Sequence, residues 1–434
     1  MRLIEKTTEH RIEQQEREAK LFFLRKRIPL DRFFGDEPKD HMTQAEFIRM
    51  ADSIFAMPVF SNLKPEYDLT DSEFVIRLAN APSEGVLKAL AAAVLGGMRT
   101  YFSEHPVHIT RMFGSYILLE SVDGRLKATR ATAIPIRYCP LMVQLLKEVG
   151  GSVAEEILET LNSGDETRQQ ERMIDLIDQV VIAGGYFDTG RPLNSCEMNV
   201  LFGASETMYS AFRSEMIDAA VIVSNNLGTI ITTNAEGTQG AVQRMTGLFY
   251  TSPSAEIQQK AEEADIIPVF PATACIDQVE GVREAIRRGY KKIAVSVASS
   301  DNVLHRTLKA IEAEEGVVIY RFGLCSTGIS EEAADAMAED ADIVWTCASK
   351  WVREKIEPLS LLQVGIKIPV HMLTERGVRL AGNHLSVMDP AFSTESVLSD
   401  IRTHRMVCTH QNGGFRLFPR EELRECEDCP HPCV

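Results

Sequence analysis

Five short apolar runs between Asp218 and Thr346 decide how this chain folds. They are DAAVIVS (218–224), IIPVF (266–270), KIAVSVA (292–298), GVVIYRF (316–322) and ADIVWT (341–346). Segments with apolar residues at helical spacing, such as VEGVREAIRRGY (279–290), separate most of them. Buried strands that alternate with helices are typical of βα units, so we predict an α/β fold with a mostly parallel sheet and helices on both faces.

Polar and thiol residues follow these runs, at the edge where the strands end. Ligands of such sheets bind outside the carboxyl ends of the strands, so we predict a small-molecule or cofactor site there. The segment NNLGTIITTN (225–234) can bind anions through its backbone N–H groups or simply form a tight turn, and the chain has neither a Walker A pattern nor G-x-G-x-x-G. The predicted cofactor-binding residues are Asn225, Asn226, Gly228, Thr229 and Ser205.

Composition restricts the class of partner. The 434 residues include 46 Lys and Arg against 62 Asp and Glu, a net charge of -16, which argues against binding to nucleic acid or to an anionic membrane. The longest apolar run, VLKALAAAVLGGM (86–98), is too short to span a bilayer, and the charged N-terminus does not resemble a signal peptide. We therefore expect a cytoplasmic protein.

Changes in the spacing of apolar residues along the sequence divide the chain into three predicted regions. Residues 1–105 are expected to be mostly helical, with a charged helix in RIEQQEREAKLFFLRKR (11–27) and further helices that begin at Thr43 and Ser83. Residues 106–385 form the predicted α/β core domain, which opens with a β-hairpin around Asp123-Gly124. Residues 386–434 form a small cysteine-bearing tail, and the N-terminal helices or this tail are the expected contacts for a protein partner or a second subunit.

Several runs in the core resemble a known family. They are FGASETMYSAFRSEMIDAAVIV (202–223), GTIITTNAE (228–236), IDQVEGVREAIRRGYKKIAVSVA (276–298) and ADIVWTCASKWVREK (341–355), with RYCPL (137–141) upstream. Together they are similar to methanogenesis marker protein 8 over about residues 107–382. The resemblance implies an anaerobic, methanogen-type setting and allows a link to coenzyme or methyl-coenzyme M reductase maturation.

Cysteines offer two candidate metal sites among the nine in the chain. Cys139, Cys196 and Cys347 stand at strand or loop ends, where three thiolates can hold a [4Fe–4S] cluster with one open iron; the alternative is three buried small apolar residues. Cys426, Cys429 and Cys433 form a C-x2-C-x3-C motif that suits zinc or an iron–sulfur cluster, and the alternative is an unbound tail.

The candidate catalytic groups are Cys347 and four further residues, Lys350, Asp277, Glu280 and Glu206. Cys347 precedes a helix and Lys350, and both the helix dipole and an ammonium would lower a thiol pKa. Asp277 and Glu280 lie three residues apart at a helix start, where they either act as acid and base or stabilise the helix dipole, and Glu206 has the same two interpretations.

Three hypotheses about function follow. The first is an anaerobic iron–sulfur enzyme that acts on a small polar molecule by elimination, hydration, or sulfur removal or transfer. The second is a non-catalytic maturation or accessory protein that binds a cofactor precursor and a protein partner. The third is a thiol-dependent transferase that uses Cys347.

Overall fold

The structure is a computed structural model, and it describes the chain apart from residues 1–3, 6–7, 10–12, 16–17, 71–72, 80–81, 136–145, 148–150, 199, 243–246, 299–302, 348, 366–368, 391, 404–416 and 420–434. For residues 4–5, 8–9, 13–15, 18–24, 73, 153, 161–163, 400–403 and 417–419 it describes the backbone alone. Every structural statement below concerns the described residues.

The strands are β1 (Ile4–Glu5), β2 (Thr8–Glu9), β3 (Glu13–Gln15), β4 (Glu18–Leu24), β5 (Arg27–Ile28), β6 (Lys39–Asp40), β7 (Pro65–Leu69), β8 (Glu73–Leu78), β9 (Val107–Met112), β10 (Ser115–Val122), β11 (Arg125–Ala131), β12 (Ala219–Ser224), β13 (Gly228–Thr232), β14 (Gly247–Thr251), β15 (Ile267–Pro268), β16 (Lys292–Ala298), β17 (Val318–Leu324), β18 (Ile343–Trp345), β19 (Leu362–Val364), β20 (Val370–Met372) and β21 (Leu417–Pro419).

The α-helices are α1 (Leu30–Phe34), α2 (Gln44–Phe55), α3 (Glu84–Glu104), α4 (Gly151–Ser163), α5 (Glu166–Leu176), α6 (Ala204–Arg213), α7 (Ala235–Ala241), α8 (Ala255–Glu263), α9 (Gln278–Arg287), α10 (Leu304–Glu315), α11 (Glu331–Asp340), α12 (Glu375–Met388) and α13 (Thr394–Thr403). Two π-helical segments (Ile177–Ile182 and Val352–Ile356) and a 3-10 turn (Glu357–Leu359) complete the described helical structure. Within the described residues no helix has the length and apolar character needed to cross a bilayer.

The large sheet is mixed. Its nine described strands lie in the order β15-β13-β12-β16-β17-β18-β20-β19-β21. The pairings of β12 with β16, β16 with β17 and β17 with β18 are parallel, and the remaining pairings on both sides are antiparallel. The prediction of a mostly parallel sheet is therefore wrong at both flanks, because short turns such as the one between β12 and β13 bring the chain straight back beside the same strand.

Helices cover both faces of this sheet, as its apolar runs predict. Side chains alternate along a strand, so Ala220 and Ile222 of β12 pack on one face with α6, α7, α8 and α12. Ala219 and Val221 point to the opposite face, where α9 and α10 cover them. Burial on both faces explains why these strands read as continuous apolar runs instead of alternating patterns.

A second sheet is antiparallel and has the order β11-β10-β9-β14. The turn between β10 and β11 contains Asp123 and Gly124 at φ angles of 51° and 73°, as a type I′ hairpin requires. The segment before this turn, predicted as one arm, is two strands joined at Phe113 and Gly114. The fourth strand, β14, comes from within the α/β section of the chain, so the two sheets are linked covalently and share an edge region.

The N-terminal region differs from its prediction. Part of the charged segment 11–27 forms β3 and β4, and β4 pairs antiparallel with β8 in a four-stranded sheet of order β3-β4-β8-β7. Helices α2 and α3 pack with this sheet around Phe47, Phe74 and Phe102. Thr43 caps α2 as predicted, with its hydroxyl accepting from the Glu46 amide. The region is therefore mixed α and β instead of mostly helical.

Candidate functional site

A small cavity of about 120 Å³ lies at the carboxyl ends of the parallel strands, where the fold predicts a ligand. Residues at the ends of β12, β16 and β17 form one wall, the first residues of β14 form another, and α6 contributes Ser205. The polar groups on the wall are Ser205, Gln278, Ser296 and the thiol of Cys325. We refer to this space as the strand-end cavity.

Cys325 follows β17 in an uncommon conformation. Its φ is 59°, in the left-handed region that non-glycine residues rarely occupy. The guanidinium of buried Arg111 donates to the Cys325 carbonyl over 2.7 Å and also to the Thr327 carbonyl. Arg111, on β9 of the second sheet, therefore holds the Cys325–Thr327 loop in the conformation that places the thiol on the strand-end cavity.

The Cys325 thiol is subject to two opposing electrostatic effects. Burial raises the pKa of the thiol above its ordinary value, because a thiolate loses its hydration inside the protein. The positive charge of Arg111 lowers it by a smaller amount. The surroundings therefore favour the neutral thiol over a free thiolate. The Arg111 charge offsets part of this effect, because it stabilises a negative charge on the sulfur.

Cys347 lies beside this loop. Its backbone amide donates to the Ser326 hydroxyl over 2.8 Å, and the same hydroxyl donates to the Trp345 carbonyl over 3.1 Å. Cys347 is half-buried but is not on the wall of the strand-end cavity. The ammonium of Lys350 lies 4.5 Å from the centroid of the Trp351 ring, a cation–π contact on the exposed side of this turn.

Cys196 lies elsewhere, in the exposed wall of a larger cavity of about 680 Å³. Val242 lines both cavities, but Cys196 and Cys325 do not line the same one. Among the described residues no group of three or more His, Cys, Asp or Glu side chains is arranged to hold a metal. Cys139, Cys426, Cys429 and Cys433 lie outside the described residues, so both predicted thiolate sites stay predictions.

The predicted cofactor-binding residues of the β12–β13 turn have internal partners. Asn226 adopts a φ of 65°, and its backbone amide donates to the Thr251 hydroxyl. The side-chain amide of Asn225 donates to the Tyr186 carbonyl over 2.7 Å. Gly228, at a φ of 66°, lies directly against the carbonyl of Ala274. The Thr229 hydroxyl accepts from the Asp277 amide over 2.7 Å. Of the five predicted residues, Ser205 lines the strand-end cavity.

The predicted acid–base residues also have structural partners. Asp277 caps α9 by accepting from the Glu280 amide over 2.9 Å, and Glu280 accepts from Arg287 over 2.6 Å. Glu206 is buried, with 2% of its surface exposed, and accepts from the Val200 amide and the Ser205 hydroxyl. The helix-stabilising interpretation therefore describes Asp277, and Glu206 fixes the loop that leads into α6.

Sequence patterns do not single out two arginines that shape these cavities. Arg111 lies in a strand whose six residues are all buried, and Arg191 lies in the irregular loop before α6. Neither belongs to a motif, and each reaches its site from a segment distant in the chain. An arginine inside the strand VHITRM, whose six residues are all buried, is the feature that points to Arg111.

Comparison with known proteins identifies the family. The family model described as "Uncharacterized protein conserved in archaea (DUF2099)" matches residues 108–386, which include the second sheet, both cavities and the parallel strands. The chain is also 35% identical over 253 residues to the uncharacterized protein MJ0054 of Methanocaldococcus jannaschii, an alignment that covers 58% of this chain and 82% of that protein. The chain therefore belongs to the DUF2099 family of archaea.

Proposed function

We propose that this member of the DUF2099 family is an enzyme that acts on a small polar molecule at the carboxyl ends of its parallel strands, with Cys325 at the reacting position. The observation that supports this best is the conformation of Cys325 itself. A residue in the left-handed region costs free energy, and such conformations concentrate at functional sites. Here the strained backbone places a thiol on a cavity.

The chemical form of the thiol follows from its surroundings. Because burial raises the pKa of Cys325, a free thiolate is a minor species at neutral pH. A bound metal removes this cost, since cysteine coordinates metals as the thiolate. Ser326 joins Cys347 to the same loop, so a second thiol stands at the neighbouring strand end. We therefore favour the iron–sulfur form of the proposal, with Cys325 and Cys347 as ligands.

We propose Cys139 as the third ligand, as in the sequence-based prediction, although it lies outside the residues that the structure describes. Cys325 replaces Cys196 in the proposed set, because Cys196 lines a different cavity. An open iron would supply Lewis-acid chemistry or accept sulfur, and Ser205, Gln278 and Ser296 would orient the substrate.

Anaerobic purification tests the iron–sulfur form directly. The full-length protein should be brown and should contain about four iron and four sulfide per chain. Cys325→Ser and Cys347→Ser should each lose most of the iron. The matched control is Cys275→Ser, because Cys275 is a half-buried thiol outside the strand-end cavity. A colourless protein that takes up no iron on reconstitution with iron and sulfide would rule out this form.

The thiol-dependent transferase is the second candidate, with Cys325 as the thiol in place of the Cys347 of the sequence-based hypothesis. Arg111 favours it, because its guanidinium donates to the Cys325 carbonyl and its charge lowers the pKa of the thiol. In this form metal-free protein should react with iodoacetamide at Cys325, faster as pH rises, and mass spectrometry of tryptic peptides would identify the modified residue. If the protein neither takes up iron nor reacts at Cys325, the proposal of an enzyme fails and a non-catalytic accessory role becomes the better hypothesis.

A further inference from the structure

The larger cavity contains a half-buried positive charge, that of Arg191, which the proposed thiol chemistry does not use. Its walls come from the end of the π-helical segment, from the loop before α6, and from α7. Arg191 lies on this wall, and among the described residues no carboxylate lies within ion-pair distance of its guanidinium. We refer to this space as the Arg191 cavity.

Two hydrogen bonds fix the position of the Arg191 guanidinium but do not use all of its N–H donors. Nη2 donates to the Ser224 hydroxyl over 3.0 Å and to the Asn225 carbonyl over 2.8 Å. Nε is buried and has no acceptor in the described part of the chain. A guanidinium has five N–H donors. The two bonds use the pair on Nη2, and among the described residues no acceptor bonds to Nη1, so the two Nη1 donors are available to a ligand.

Burial makes this charge costly without an anion. It lowers the pKa of Arg191 to about 10, so the side chain is still charged at neutral pH. A charge removed from water is stabilised by an opposite charge with hydrogen-bonding groups, and no other charged group contributes to this shift. In the described part of the chain the acceptors of Arg191 are the neutral Ser224 hydroxyl and Asn225 carbonyl, which leaves the charge available to a bound anion.

The wall around Arg191 is held in place by α7. The Ser195 amide donates to the Glu236 carbonyl over 3.0 Å, and the Gln239 side chain donates to the Glu197 carbonyl over 2.8 Å. The loop rests directly on the helix at Gly240, where a Cβ atom would overlap the backbone of Leu193. A cavity of about 680 Å³ with a fixed wall and a fixed cation is within the usual size range of small-molecule sites.

We infer that the Arg191 cavity binds a small molecule through a carboxylate or phosphate group. Arg191 holds the anionic group, since a guanidinium matches the geometry of both anions. The carboxylates of Glu197 and Glu236 also line the cavity, and Glu236 lies 3.5 Å from exposed Arg213, which compensates part of its charge. The rest of the ligand therefore carries hydroxyl or amine donors. This inference does not depend on the chemistry of Cys325.

Calorimetric titration of the full-length protein with malonate and with inorganic phosphate tests the site. We expect saturable binding of malonate or of phosphate. The anion that binds more tightly shows whether the natural ligand carries a carboxylate or a phosphate group. Malonamide, which has the same shape as malonate but no charge, should not bind. Arg191→Met should weaken binding at least tenfold. Arg283→Gln, which removes an exposed arginine that does not line this cavity, should change it less than twofold.

Cys196 provides a second measurement that needs no variant, because its exposed thiol lines the same cavity. Malonate or phosphate should slow the alkylation of Cys196 by iodoacetamide, and the protection should disappear in Arg191→Met. Three outcomes would overturn the inference: the wild type and Arg191→Met bind the anions with equal affinity, malonamide protects Cys196 as well as malonate does, or neither anion changes the alkylation rate of Cys196. The wild-type alkylation result decides the matter if the variant does not fold.

Discussion

The amide of Cys347 donates to the hydroxyl of Ser326 over 2.8 Å, and this contact joins the ends of two neighbouring parallel strands. Because the Ser326 hydroxyl also donates to the Trp345 carbonyl, one side chain satisfies a backbone donor and a backbone acceptor. The contact brings two thiols of different strands to the same edge of the sheet.

Removing the Ser326 hydroxyl should lower the free energy of unfolding more than removing an exposed hydroxyl. Ser326→Ala removes a fully buried hydroxyl that accepts from the Cys347 amide and donates to the Trp345 carbonyl, and we expect a loss of about 2 kcal/mol in the free energy of unfolding. Urea unfolding of the full-length chain measures it. Ser61→Ala removes an exposed hydroxyl that donates to the Pro58 carbonyl, and it should cost under about 0.5 kcal/mol. Equal losses in the two variants would show that Ser326 is not a special link.

Arg111 should control the ionisation of Cys325. Arg111→Met removes the positive charge that lowers the thiol pKa, so the pKa of Cys325 should rise further. The ultraviolet absorbance of the thiolate in metal-free protein reports it, with Cys325→Ser as the background. Arg125→Met, at the exposed end of the hairpin, is the control and should leave the titration unchanged. A titration that does not move in Arg111→Met would contradict the electrostatic argument.

Acid should destabilise the fold between about pH 6.5 and pH 4. Burial lowers the pKa of His41 and His108 to about 3 and that of His371 to about 4. In this range the unfolded chain binds protons that the folded chain does not, so stability is present at neutral pH and is lost as pH falls. At pH 5 each histidine should cost about 2 kcal/mol. Thermal unfolding across this range measures the slope.

Variants show whether the buried histidines cause this slope. His108→Gln should reduce the pH dependence, since one of the differences in proton binding between the folded and unfolded chain is removed. His105→Gln changes an exposed histidine and should leave the slope as in the wild type. A wild-type protein of constant stability from pH 7 to pH 5 would show that the histidines are not buried as described.

Gly228 should tolerate no side chain. Its positive φ already disfavours an L residue, and a Cβ atom would overlap the carbonyl of Ala274. Gly228→Ala should therefore cost about 3 kcal/mol or more, combining strain with overpacking. Gly124→Ala has a similar φ of 73° but open space around it, and strain alone should cost about 1 kcal/mol. Similar losses at both glycines, measured by urea unfolding, would disprove the close approach at Gly228.

Sequence patterns locate the buried strands well but not their direction. The run 292–298 coincides with β16, and the runs 218–224 and 316–322 overlap β12 and β17 with small shifts. Burial on both faces produces the same apolar run in a parallel and in an antiparallel strand. The direction of β13 and β20 depends on turns and on pairing between distant segments, which a local pattern does not encode.

The charged N-terminal segment shows the same limit. Residues 18–24 have helix-forming charges and a short apolar centre, yet they form β4 because β8 offers a partner strand some fifty residues later. The candidate site follows this rule as well. The strand-end thiols are visible in the sequence, whereas Arg111 and Arg191 come from other segments, and their importance becomes clear when their partners are known.

Strand β14 has a consequence for how the molecule is made. The meander of β9, β10 and β11 leaves the ribosome early, but the edge of β9 stays open until residues 247–251 have been synthesised. An open strand edge invites pairing with other chains, and contacts between distant segments form slowly. During synthesis the exposed edge of β9 is therefore a point where this protein is prone to aggregation, and a fragment that ends before Gly247 would keep that edge permanently.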